Sequence, residues 1–139
     1  MKPKQIIKII FLSLIFISTK SFSQSIDQKA KAGADFICEC SKTALSENGV
    51  DTAKLLEIYN SYQSQGTLLS KYKSDVKTIS SQMNSNYSAI ETEIYKCRSQ
   101  FRQKFSSDLN NKVFLSKMQD IINKNAYTNG PKLIKDLTN

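Results

Sequence analysis

The chain has 139 residues, with 20 Lys or Arg against 12 Asp or Glu, a formal net charge of +8. It has no His and only four Gly. That excludes His-based acid–base chemistry, Ser-His and Cys-His nucleophilic pairs, imidazole metal ligands and a glycine-rich phosphate cradle.

The first 23 residues have the order of a secretory signal peptide. Lys2, Lys4 and Lys8 make a positive start, Ile9 to Ile17 form an apolar run broken only by Ser13, and Ser21 and Ser23 precede a cut at Ser23/Gln24. From Ile6 to Ile17 the apolar stretch is twelve residues with Lys8 inside it, short of the about 20 needed to span a bilayer. Cys38, the first cysteine, is too far on to carry a lipoprotein anchor. The reading is a secreted or periplasmic protein, in a compartment where thiols oxidise, with a single domain over residues 24–139 and no transmembrane span after cleavage.

Cleavage changes the charge. Lys2, Lys4, Lys8 and Lys20 leave with the signal and no acid does, so sixteen cations face twelve acids and the net becomes +4. From Gln24 to Asn60 the net is −2, and from Ser61 onward it is +6. Such a balance favours attraction to an anionic envelope component and is too small to argue for nucleic acid.

Along residues 24–139 apolar positions recur at three and four, the helical period, and no proline stands between Pro3 and Pro131. A first helix is expected from about Ile26 to Ser46. Ser25-x-x-Gln28 has capping-box spacing, and Ile26, Ala30, Gly33, Ile37, Cys40 and Ala44 form its stripe, with Cys38 on the flank. Asn48-Gly49 reads as its stop. A second helix starts at Asp51, with Val50 and Leu55 at the spacing of a hydrophobic staple, and ends near Gly66, with Thr67 capping the next helix.

From Leu69 to Phe105 the period is unbroken and admits one helix or two. Ser80 to Asn86 is poor in helix formers, and a turn there would let Ser88-x-x-Glu91 cap the helix that carries Cys97. A last helix is expected after Ser107 or Asp108 with Phe114, Met118, Ile121 and Ile122, stopped by Asn129-Gly130-Pro131. The tail beyond Pro131 adds a helical turn or frays. The fold class is all-α, a small bundle of four to five helices stapled by one disulfide.

Three cysteines are available for that staple. Residues two apart on a helix point about 200° from each other, so only one of Cys38 and Cys40 readily meets Cys97. The stripe favours Cys40–Cys97, with Cys38 the alternative partner. A bond at that place also favours a turn near Asn84–Asn86, because an unbroken helix from Thr67 would carry Cys97 well past Cys40. The odd cysteine is then an idle thiol or the link of a disulfide-bonded dimer. A Cys-x-Cys metal or redox site with Cys97 as third ligand is the sharper rival.

Arg98 and Arg102, four apart on one helical face, are candidates for contact with an anion or a partner. Glu91 and Glu93 diverge and make no acid–base pair, and Glu93 with Lys96 reads as a surface ion pair. Tyr59, Tyr62, Tyr72 and Tyr87 lie on apolar stripes and read as core residues with a wet tip. No catalytic, cofactor or metal set emerges. The expected function is a non-catalytic interaction or binding module of the cell envelope, with an unidentified protein or an anionic envelope component as partner. A secreted inhibitor or immunity-type protein, and a thiol-dependent metal or redox carrier, are the alternatives.

Overall fold

A computed structural model describes residues 24–139, and the signal-peptide expectation for residues 1–23 lies outside the described residues. These residues form six helices, α1 (Ile26–Glu47), α2 (Thr52–Gln65), α3 (Lys73–Ser85), α4 (Tyr87–Lys104), α5 (Lys112–Ile122) and α6 (Ala126–Thr138). Short 3-10 turns at Ser70–Tyr72 and Ser106–Asp108 lead into α3 and out of α4. The class is all-α, as expected, with one helix more than the upper count expected.

Local chemistry sets most of the ends. Ser25 and Gln28 form the capping box of α1: the Gln28 N–H donates to Ser25 Oγ at 3.3 Å and the Ser25 N–H to Gln28 Oε1 at 3.1 Å. At the other end the Val50 N–H donates to the Leu45 carbonyl and the Gly49 N–H to that of Ser46. Gly49 takes a φ of 77° there, which is the Schellman ending. Asp51 caps α2 by accepting from the Lys54 N–H, and both staple residues, Val50 and Leu55, are buried in one cluster.

The long period from Leu69 to Phe105 is two helices, broken at Asn86. One residue serves both ends: Asn86 Nδ2 donates to the Gln82 carbonyl of α3, and the Asn86 carbonyl accepts the Ile90 N–H of α4. The expected cap at Ser88 is therefore a correction, since Ser88 lies inside α4. Thr67 likewise caps nothing, and α3 is entered through the turn at Ser70–Tyr72.

The expected stop at Asn129-Gly130-Pro131 is also overturned. α5 ends at Ile122, and Asn125 starts α6 by accepting from the Tyr127 and Thr128 N–H groups. Asn129 Nδ2 and Thr128 Oγ1 donate to the Ile122 carbonyl at 2.7 and 2.8 Å, closing the end of α5. Pro131 sits inside α6 at the cost of a helical hydrogen bond. Packing outweighs that cost. Ile134 is fully buried, and Gly130 lets α6 approach α2 so closely that a Cβ there would stand 2.8 Å from Leu55 Cδ1.

α1 is the spine. It packs on α5, α4 and α6, while α2 and α3 pack on α6. Its N-terminal half, with Ala30 and Ala34, meets Phe101, Phe105, Phe114 and Met118. Its C-terminal end, at Leu45, meets the second cluster, built from α2, α3 and α6 around Leu55, Ile58, Ile79 and Ile134. α4 is the least embedded helix. Of its eighteen residues only Ile90 and Phe101 are buried.

Candidate functional site: a groove beside the stapled helix

Cys40 and Cys97 form the disulfide, with their Cα atoms 6.0 Å apart, and it ties α4 to α1. The pairing agrees with expectation, but the geometry that favoured it does not. Cys38 lies on the buried stripe of α1 with Ala30, Ala34, Ala44 and Leu45, whereas Cys40 is half-buried at its edge. Cys38 is a free thiol, and burial first, then the Asp35 carboxylate, pushes its pKa up. Two of three sulfurs are thus joined, and among the described residues no three Cys, Asp or Glu side chains gather as a metal set.

α4 is held to α1 without packing along α6, and a groove lies between the two. Its wider part has a volume of about 860 Å³. Leu45, Met83, Ile90 and Ile94 give it an apolar lining, with Tyr87, Tyr95, Arg98, Lys132 and Lys135 also around it. A narrower cavity of about 440 Å³ shares Ile94 and Arg98 and extends over the disulfide to Phe101, Ile122 and Tyr127. α6 runs antiparallel to α4 across this space. Its start at Tyr127–Asn129 faces the narrow part, and its end at Lys135 and Thr138 faces the wide part with Tyr87 and Met83.

No family model, curated protein or solved structure matches this chain.

The groove is therefore read from its own chemistry. Tyr87 is 59 % and Tyr95 74 % exposed, so the core reading of Tyr87 is corrected. Its ring lies outside the bundle, and its Oη donates to Glu91 Oε1. The core reading holds for Tyr59 and Tyr72, and Tyr72 Oη donates to Glu57 Oε1 at 2.8 Å. Hydrogen bonds from Lys54 and then Tyr72 hold the Glu57 carboxyl below its usual range.

The two arginines separate. Both are exposed, but Arg98 lines both parts of the groove and Arg102 lines neither. Neither they nor Lys135 enters an ion pair among the described residues, while Lys132 pairs with Asp136 at 2.5 Å. Glu93 and Lys96 form the expected surface pair at 2.7 Å.

Sequence reasoning missed Tyr95, Lys132 and Lys135. Tyr95 gave a signal, since it falls off the period of Ile90, Ile94, Cys97 and Phe101, and an aromatic ring on the polar face of a helix has no core to fill. The lysines gave none, because the expected stop at Pro131 left them in a tail. The arrangement offers apolar contact, three tyrosine rings and three cations.

Proposed function

We propose that this protein is a non-catalytic binding module of the cell envelope, secreted or periplasmic after loss of its leader, that takes its partner in the groove between α4 and α6. The leader pattern and the disulfide support the location, because thiols pair stably in oxidising compartments. No helix among the described residues is long and apolar enough to cross a membrane. The observation that carries the reading is the groove itself. It is apolar at its base, lies open beside a helix that buries two residues, and is edged by exposed Tyr87 and Tyr95. Exposed apolar surface rimmed by polar groups marks interaction sites, and tyrosine suits them because one end of the ring tolerates water.

A photo-crosslinking residue placed at Tyr95 in cells that make the protein tests this directly. It should yield a discrete crosslinked species, and the same residue at Val113 on α5, 52 % exposed and outside the groove, should not. Crosslinks from Val113 and none from Tyr95 would place the working surface elsewhere. A three-thiolate metal carrier would first have to open the disulfide, which takes two of the three thiolates.

A further inference from the structure

We propose that the occupant of the groove is an acidic amphipathic α-helix of a partner protein, an inference that rests on the groove reading above. Three features converge on it. The first is shape. α1 supplies the floor through Ile37, Ser41 and Leu45, α4 one wall, and α5 and α6 the other, with Ser80, Met83 and Asn84 of α3 added at the wide part. Along α4 the lining runs from Tyr87 to Phe101, about 21 Å at helical rise, the length of four turns of a docked helix. A trough between two helices floored by a third is the form that receives the apolar stripe of an amphipathic helix.

The second is openness. Tyr87 and Tyr95 are more than half exposed, so the lips of the trough are wet. A small ligand or single acyl chain seeks a site that encloses most of its surface, whereas a helix buries one face and leaves the other in water.

The third is charge. Arg98 stands on one wall and Lys132 and Lys135 on the other, facing each other across the wide part, and the narrow part shares only Arg98. Arg98 and Lys135 have no ion-pair partner among the described residues. Glu91, which accepts from the Tyr87 hydroxyl, is the one acidic side chain on the lining, against the three cations. A helix with a Leu or Ile stripe and acids on its flanks is the complement of this surface.

The test uses the disulfide-bonded protein and two labelled synthetic peptides of about four helical turns. Both carry the same Leu stripe at three–four spacing, one with Glu flanks and the other with Lys flanks. Fluorescence anisotropy should show the Glu peptide binding about ten-fold more tightly, with a gain of peptide helicity in circular dichroism. The double variant Arg98→Glu, Lys135→Glu should reverse that order, and Val113→Glu should not. Equal binding of the two peptides, or a preference that the double reversal leaves in place, overturns the inference. Oleate and phosphatidylglycerol vesicles run beside the peptides separate two failures. If either binds in an Arg98- and Lys135-dependent way while the Glu peptide does not, the helical occupant is wrong and the groove remains a binding site. If no probe responds to those reversals or to Tyr95→Ala, the groove reading falls with it.

Discussion

Gly130→Ala sets two effects of opposite sign against each other. In the interior of a helix, Ala is favoured over Gly by about 1 kcal/mol. At this position the added methyl would stand 2.8 Å from Leu55 Cδ1 and 3.1 Å from Leu55 Cγ. Leu55 is fully buried, so any shift of its side chain presses on packed neighbours, and overpacking of this kind costs about 1–3 kcal/mol. The net expectation is a destabilisation of about 1 kcal/mol. With no Trp in the chain, urea unfolding followed by circular dichroism is the suitable assay. The control is the double variant. Leu55→Ala alone should cost about 2–5 kcal/mol, but in that background Gly130→Ala should turn neutral or stabilising, because the methyl then enters vacated space. If Gly130→Ala stabilises the parent protein by about the full helix-propensity gain of 1 kcal/mol, the close approach of α6 to α2 is refuted.

Replacing both Cys40 and Cys97 by Ala should cost roughly 4 kcal/mol on the loop-closure estimate for a separation of 57 residues. Hydrogen exchange should rise first in α4, where only Ile90 and Phe101 are buried; a uniform rise through α1 and α5 would deny that the bond chiefly anchors this helix. Asn125→Ala removes the acceptor of the Tyr127 and Thr128 N–H groups and should lower stability by about 1 kcal/mol, measured by the same unfolding assay. The raised pKa of Cys38, caused by burial and then Asp35, favours the neutral thiol in the folded protein. The associated stability is fully present below the unfolded thiol pKa of about 8.5 and is lost as pH rises through the higher folded value. Iodoacetamide should therefore modify the native protein far more slowly than the urea-unfolded one near pH 8, and Cys38→Ala should flatten the decline in stability above that pH.

The legible parts of the fold are those written in a few adjacent residues. Ser25 and Gln28, Asn48-Gly49 and Asp51 with its Val50–Leu55 staple act within one turn of chain, and each sets a helix end where the pattern places it. Gly130-Pro131 has equally strong local chemistry and misleads, because Leu55 and Asn125 outweigh it from outside the motif. The disulfide shows a subtler failure. Cys40 pairs with Cys97 from the edge of the α1 stripe while Cys38 occupies the stripe itself. A core position suits a small apolar thiol, and a bridge to a peripheral helix suits the margin. The groove was the least legible. It exists because two helices distant in sequence pack little against each other, and only Arg98 among its charged residues was on a face already marked for contact.

Thr138 and Asn139 line the wide part of the groove, so whatever follows α6 starts at its mouth. An affinity tag, reporter or display anchor fused after Asn139 would emerge beside Lys135 at the mouth of the trough. An acidic tag would stand next to Arg98, Lys132 and Lys135 at a high effective concentration. On the proposed reading a fusion of that kind would occupy the groove itself, whereas one joined ahead of Ser25 would leave the mouth clear.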